Sequence, residues 1–116
     1  MKDKNSTRHF SDMQEKQVCK LLNAVQTPNS GAGLWRKGDA YHEEASLLIE
    51  CKTTETDKKS FSIKKEWIEK NREEAFNQRL NNSCIAFNFG PGQESYFVIN
   101  GKLMNFLVEK LIEENS

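Results

Sequence analysis

The stretch at residues 45–52, with the sequence ASLLIECK, constrains the fold of this chain more than any other. In an extended strand the side chains alternate between two faces. One face would carry Leu47, Ile49 and Cys51, and the other Leu48, Glu50 and Lys52. Charges at the end of an apolar strand are costly to bury unless they are paired or bind a metal. The alternative is a strand end that emerges into solvent, where the two charges form a weak surface pair.

The patterns on either side of this strand predict one α/β domain. The capping-box pair Asp12 and Glu15, followed by apolar residues at helical spacing, indicates a helix as far as Gln26. The further predicted elements are strands at residues 60–63, 83–89 and 95–99 and helices at residues 64–79 and 103–112. We therefore expect a single domain at residues 11–116, in the order helix, two or three strands, helix, two strands, helix. A flexible N-terminus at residues 1–10 would precede it.

Length and composition exclude several classes of protein. A chain of 116 residues supports one domain, and its 17 basic and 17 acidic side chains exclude nucleic-acid binding through bulk positive charge. The absence of a long apolar run and of a secretory signal leads us to expect a cytoplasmic protein with no membrane partner. Cys19, Cys51 and Cys84 lack a zinc-binding spacing and are expected to be reduced thiols. Gly31-x-Gly33 has no Walker lysine after it, so no nucleotide cofactor is expected.

Three carboxylates are expected near the charged end of the strand at residues 45–52. Asp39 precedes Glu50 by eleven positions, so two strands joined by a short turn would bring the two together. Glu15 lies near the apolar side of its helix, although a role in capping that helix is the alternative interpretation. Carboxylates with a lysine beside them form a hard oxygen-ligand site for Mg²⁺, to which the backbone carbonyl of Cys51 can add.

The arrangement Gly38-Asp39, ten residues, then Glu50-Cys51-Lys52 resembles the active-site signature of the PD-(D/E)XK nuclease superfamily, with Gly38 in place of the proline. Glu15 and the loop Ser30-Gly31-Ala32-Gly33 resemble the archaeal Holliday junction resolvase branch. The segment Trp35-Arg36-Lys37-Gly38-Asp39 is similar to small phage resolvase-like nucleases. The resemblance covers about residues 15–89. It implies a restriction-endonuclease-like core (α-β-β-β-α-β), a mixed central sheet flanked by helices, with an extra C-terminal strand and helix.

The resemblance also implies an activity, that of a metal-dependent endodeoxyribonuclease. Asp39 and Glu50 would hold Mg²⁺, for which Mn²⁺ substitutes, with the carbonyl of Cys51 and with Glu15 as a further ligand. Lys52 would orient the attacking water and stabilise charge on the phosphate. The implied substrate is branched DNA, in a bacterial host cell if the gene belongs to a phage. The alternatives are a nicking, repair or restriction-like nuclease with another substrate, and a non-catalytic DNA-binding module of the same fold.

The basic side chains are distributed unevenly, which favours contact with DNA on one part of the chain. Residues 1–40 carry a net charge of +3 and residues 81–116 a net charge of −2. The residues expected to contact DNA are Ser30, Gly31, Trp35, Arg36, Lys37, Thr53, Lys64 and Lys65. Solvated lysines and a tryptophan packed over the core are the alternatives. Because junction resolution needs two symmetric cuts, we expect a homodimer. The closing helix is expected either to cover the core or to form the dimer seam.

Overall fold

The computed structural model describes residues 4–27 and 38–116, which form a mixed five-stranded sheet flanked by helices. Its elements in chain order are α1 (Lys4–Leu22), β1 (Val25–Gln26), β2 (Ala40–His42), β3 (Leu47–Lys52), α2 (Lys65–Asn77), β4 (Asn82–Phe87), β5 (Tyr96–Val98) and α3 (Gly101–Glu114). The chain is therefore of the α/β class, as the sequence predicts. No helix in the described part of the chain is long and apolar enough to cross a membrane.

The strand predicted at residues 45–52 is confirmed as β3 (Leu47–Lys52), which lies at the centre of the sheet. The strand order is β1-β2-β3-β4-β5. β3 pairs in parallel with β4 and antiparallel with β2, and the two outer pairs are also antiparallel. Helix α2 provides the crossover that parallel neighbours require. Because β3 has a partner on each side, its direction and register are fixed along its whole length.

A hydrophobic core lies on each face of the sheet, and the alternation within β3 divides its side chains between them. On one face Ile49 packs with Val18 of α1 and with Ala86 of β4. On the other face Leu48 packs with Ala75 of α2 and with Leu80. Glu50 and Lys52 continue the α2 face of β3, so the charged end of the strand emerges next to the beginning of α2.

Two helices end in the same backbone motif, which sets where the following strands begin. Asn23 has a φ of 56° and Arg79 a φ of 62°, both in the left-handed region. The next residue in each case donates its N–H to a carbonyl five positions back, at 2.9 Å from Ala24 to Cys19 and at 2.8 Å from Leu80 to Ala75. These are Schellman motifs, in which a single left-handed residue ends the helix and turns the chain back toward the sheet.

Three predictions about the elements were wrong. The first helix begins at Lys4, inside the polar stretch expected to precede it, and Asp12 is an interior residue whose carboxylate pairs with Lys16 at 2.9 Å. It ends at Leu22 because of the left-handed residue that follows, so residues 25–26 form β1 instead of a last helical turn. Residues 60–63 form no strand. They belong to the connection between β3 and α2, where Phe61 packs against the aromatic rings of Trp67 and Phe87 instead of pairing with a strand.

Helix α3 is confirmed, but none of its residues is buried. It begins at Asn100, whose side-chain oxygen accepts a hydrogen bond from Leu103 N–H at 2.8 Å. Its large apolar side chains are exposed, including Leu107, Leu111 and Ile112. The closing helix therefore does not cover the core, which was one of its two expected roles.

A buried glutamine joins α1 to the end of β3. Gln14 is 2% exposed and lies on the side of α1 that packs against the sheet. Its Nε2 donates to the carbonyl oxygens of Lys52 at 2.8 Å and Ala86 at 3.4 Å. The amide thus holds the carboxyl ends of the two parallel strands at a fixed position relative to the helix.

We expect Gln14→Leu to lower the free energy of unfolding by about 1–3 kcal/mol, since buried carbonyl groups lose their donor while the side-chain volume is kept. Urea denaturation measures the change. Gln17→Leu is the matched control, because Gln17 Nε2 donates at 3.0 Å to Gln93 in a partly buried position. Equal losses in the two variants would contradict the assigned role of Gln14.

Candidate active site

The antiparallel pairing of β2 with β3 brings Asp39 against the end of β3. Ala40 pairs with Ile49, and one residue earlier Asp39 N–H donates to the Ile49 carbonyl oxygen at 3.1 Å. The side chain of Asp39 turns back onto the strand, where its Oδ2 accepts a 2.7 Å hydrogen bond from Cys51 N–H. The carboxylate therefore stands at the strand end, beside the residue that separates the two charged side chains of β3.

The close approach of Asp39 depends on the residue before it. Gly38 has a φ of +91°, a backbone conformation that is open to glycine and closed to proline. A Cβ atom at this position would lie 2.9 Å from Leu48 Cδ1, in the buried core under α2. This fold therefore requires glycine before Asp39, and the proline of the superfamily pattern would not fit here.

Glu50 and Lys52 form an ion pair on the α2 face of the sheet. Lys52 Nζ lies 3.3 Å from Glu50 Oε2, and the two side chains are 29% and 24% exposed. Trp67, from the first turn of α2, places its ring 4.6 Å from the same ammonium group. A partly desolvated cation is thus held between a carboxylate and an aromatic face, both of which attract it.

Glu15 approaches the same strand end from the opposite face of the sheet. It lies in the middle of α1, which excludes the helix-capping role considered for it. Its Oε1 accepts a 3.2 Å hydrogen bond from Gln26 Nε2, which also donates to Asp12 Oδ1 at 2.9 Å. Gln26 of β1 therefore holds Glu15 in place beside the buried surface of α1.

Burial and mutual repulsion disfavour ionisation of these carboxylates. Burial, together with repulsion from the nearby charge of Asp39, raises the pKa of Glu15 to about 7. Burial likewise raises the pKa of Glu50, with Asp39 again adding repulsion, while Lys52 acts in the opposite direction. Burial also raises the pKa of the Cys51 thiol far above its ordinary range. The Cys51 thiol is therefore protonated in the metal-free protein.

The carboxylates interact electrostatically but do not surround one point. Among the described residues, no three acidic, histidine or cysteine side chains are grouped so that together they could hold a metal ion. Asp39 lies at the strand end, with Glu50 on the α2 face and Glu15 on the α1 face. Two of the predicted ligands, Asp39 and Glu15, are also already engaged by hydrogen-bond donors.

A cleft of about 380 Å³ opens on the α2 side of the site. Its lining residues are Glu50, Lys52, Glu66, Trp67, Lys70, Asn71 and Glu74. Asn71 is 2% exposed and donates through Nδ2 to the carbonyl oxygens of Cys84 at 3.0 Å and Leu48 at 3.4 Å. Glu74 adds to the repulsion that raises the pKa of Glu50.

Sequence reasoning missed the contributions of α2 and of Gln14 to this site. The available signal for Gln14 was a polar residue four positions before Val18, on the apolar stripe of the first helix. Asn71 gave a similar signal, four positions before Ala75 on the buried side of α2. Trp67 was interpreted only as an apolar helix position, and nothing in its spacing indicates contact with Lys52.

The predicted DNA-contact residues fall into two groups. Ser30, Gly31, Trp35, Arg36 and Lys37 lie outside the described residues. Thr53 is partly buried, and its Oγ1 donates to Asn88 Oδ1 at 2.8 Å. Lys64 and Lys65 are exposed at the beginning of α2, with Lys64 Nζ lying 5.7 Å from the Trp67 ring. Lys64 therefore stands next to Trp67, which lines the cleft, whereas Thr53 is held by Asn88.

In the metal-free wild type we expect the free energy of unfolding to fall as the pH rises, and we expect Glu15→Gln to abolish that fall. Folding raises the pKa of the Glu15 carboxyl from 4.5 to about 7, so the folded state favours the protonated form of this group. Stability falls as the pH rises through this range. The wild type should lose on the order of 1 kcal/mol between about pH 5 and about pH 8, after allowance for solvent screening. Urea denaturation with a chelator present measures the change.

Glu113→Gln, at an exposed position of α3, is the matched control for the pH experiment. Its stability should follow that of the wild type across the whole range. An unchanged pH dependence in Glu15→Gln would show that another group is responsible.

No protein-family model, curated protein or solved structure matches this chain. The functional meaning of the site therefore depends on the positions and charges of its own residues.

Proposed function

We propose that this chain is a Mg²⁺-dependent DNA endonuclease with a restriction-endonuclease-like core, which hydrolyses phosphodiester bonds in branched DNA. The observation that carries the proposal is the position of Asp39, Glu50 and Lys52 at one end of the central strand. The order of elements, with a hairpin leading into a parallel β-α-β unit, agrees with the α-β-β-β-α-β core implied by the resemblance. A cytoplasmic location in a bacterial host belongs to the same proposal.

The metal part of the proposal is supported by the repulsion among the carboxylates. Asp39 and Glu50 would be the main ligands, with the Cys51 carbonyl completing them and Glu15 acting directly or through water. A divalent cation would relieve the unfavourable burial that raises the pKa of Glu15 and Glu50. When bound, Mg²⁺ supplies charge neutralisation at the phosphate and a bound water of lowered pKa. Mn²⁺, which also prefers oxygen ligands, would substitute.

Lys52 would supply the positively charged side chain that faces the reacting phosphate. Its ammonium group is held near Glu50 and over Trp67, so it needs little reorganisation to face an anion in the cleft. It would orient the attacking water and stabilise the negative charge that develops on phosphate oxygens. Lys58, Lys59, Lys64 and Lys65 are exposed around the same side and would contact the phosphate backbone.

We expect Lys52→Ala to lower the single-turnover rate of Mg²⁺-dependent cleavage by about 100-fold or more, because a preorganised charge is lost. The assay compares a four-way junction with a linear duplex of the same sequence, under enzyme excess and with a chelator as the metal-free condition. Lys20→Ala is the matched control, since Lys20 is an exposed lysine in the last turn of α1. It should retain the wild-type rate.

Two outcomes would change the proposal in different ways. Equal rates for Lys52→Ala and the wild type would remove the proposed active site. Faster cleavage of the linear duplex than of the junction would retain the site and favour a nicking, repair or restriction-like nuclease. Binding of DNA without cleavage under any metal condition would favour the non-catalytic module.

We further propose that the working form is a twofold dimer, with α3 as the seam. The apolar face of α3 consists of Leu103, Met104, Leu107, Val108, Leu111 and Ile112. Most of these side chains are exposed, and a contiguous apolar surface of this kind marks a contact site. A symmetric pair of active sites is what resolution of a junction requires.

We expect light scattering at micromolar concentration to give twice the chain mass of 13.4 kDa. Leu111→Glu should give the monomer mass, because two carboxylates would be buried across the twofold axis. Lys102→Glu is the control on the opposite face of the same helix and should remain dimeric. A monomeric wild type would contradict the dimer and, with it, the symmetric resolvase form of the proposal.

A further inference from the structure

Five aromatic rings form a continuous row beside Lys52, and the proposed chemistry uses only one of them. The members of this aromatic row are Trp67, Phe61, Phe87, Phe89 and Tyr96. Neighbouring ring centroids lie between 5.3 and 6.4 Å apart. The row begins at the ring that contacts the Lys52 ammonium group and ends on the edge strand of the sheet.

The sheet register produces this row at the carboxyl end of the parallel strands. Lys52 pairs with Phe87, and Phe87 pairs in turn with Tyr96. The three side chains therefore share the α2 face of the sheet, one strand apart from each other. In α/β sheets the crevice outside the carboxyl ends of the strands is where ligands commonly bind.

The connection between β3 and α2 adds a further ring above the sheet. Lys58 N–H donates to the Phe89 carbonyl oxygen at 2.7 Å, which holds this connection against the segment that follows β4. Phe61 is thereby placed over Phe87, with ring centroids 5.3 Å apart and an interplanar angle of 29°. The Phe61 ring also lies 6.4 Å from that of Trp67, so it joins the catalytic end of the row to its outer end.

The row is not part of either hydrophobic core. Its five members are absent from both groups of buried core residues, and none of them is fully buried. Tyr96, at the outer end, is 45% exposed. The other four rings are half-buried, so part of each reaches solvent. Partly exposed aromatic surface next to a charged cleft is suited to a ligand with flat apolar faces.

The lysines beside the inner rings of the row suit an anionic ligand, whereas at the outer end the Tyr96 hydroxyl donates to Glu94 Oε2 at 3.2 Å. Both Lys52 and Lys64 place their ammonium groups over the Trp67 ring, at 4.6 and 5.7 Å from its centroid. Lys58 and Lys59 are exposed on the connection that carries Phe61. Alternation of cationic groups with aromatic rings matches a polynucleotide strand, whose phosphates and bases alternate in the same way.

We propose that the aromatic row binds the unpaired bases of a single DNA strand whose phosphate lies at Lys52. The proposal rests on the nuclease function and narrows its substrate to DNA with an unpaired segment at the cut, such as a flap, a gap or an opened branch point. Base pairs in a duplex stack on one another and present no free faces. Only an unpaired strand can therefore use the row.

The test measures binding without cleavage, by fluorescence anisotropy of a labelled twelve-residue oligothymidine with a chelator present. A second probe has the same number of phosphates but abasic sugars throughout. We expect Tyr96→Ala to weaken binding of the oligothymidine by about five- to hundredfold and to leave binding of the abasic strand unchanged, because only stacking is lost. Tyr96→Phe should bind both probes as the wild type does, since the ring is retained.

Phe76→Ala is the matched control, because Phe76 is an aromatic residue of α2 that is 81% exposed and lies outside the row. It should bind both probes normally. Equal weakening by Tyr96→Ala of both probes, or a wild-type affinity of Tyr96→Ala for the oligothymidine, would overturn the proposal. Thermal unfolding of each variant establishes that the compared proteins are folded.

The two proposals fail separately. Loss of oligothymidine binding in Tyr96→Ala, combined with no Mg²⁺-dependent cleavage by the wild type, would leave a base-binding site without a nuclease. Cleavage that depends on Lys52 but is unaffected by Tyr96→Ala would leave a nuclease that does not use the row.

Discussion

The hydrogen bond from Cys51 N–H to Asp39 Oδ2, 2.7 Å long, joins the two strand ends on which the candidate site depends. It places a carboxylate against the last residues of a strand that is paired on both edges and covered on both faces. Glu50 and Glu15 are themselves partly buried near Asp39. Their burial and the repulsion from Asp39 raise the pKa of both carboxyl groups, so their charged forms are disfavoured. Lys52 compensates only one of them. A cation near these carboxylates would offset their burial and mutual repulsion, and this is the physical basis of the proposed metal dependence.

The parts of the site that the sequence predicted are those that depend on local geometry. Alternation within one strand predicts that Glu50 and Lys52 share a face, and the distance along the chain to Asp39 predicts a hairpin that brings it near. Both predictions need only the period of a strand and a short turn. The beginning of the first helix at Lys4 was missed because its first two turns carry no apolar stripe, and helices whose first turns are polar leave little pattern to detect.

The parts that could not be predicted depend on contacts between distant segments. Trp67 contacts Lys52 because of where α2 packs between β3 and β4, and the spacing of residues along the chain does not predict that contact. Gln14 reaches the Lys52 carbonyl across 38 positions of chain. The prediction of a strand at residues 60–63 was wrong for a related reason. Phe61 packs against the rings of Phe87 and Trp67 without forming strand pairs, and a short apolar run looks the same in both cases.

The zero net charge of the chain conceals an uneven distribution of charge at the site. The α1 face carries Glu15 close to Asp39, whereas the α2 face carries Glu50 paired with Lys52, the aromatic row and the lysines at the beginning of α2. In the proposed reaction the carboxylates hold the cation, and the lysines and the aromatic row hold the strand. Neutrality of the whole therefore does not oppose DNA binding, because the carboxylates and the exposed lysines occupy different parts of the site. It implies instead that binding in the absence of metal depends on the α2 face, where stacking contributes independently of charge.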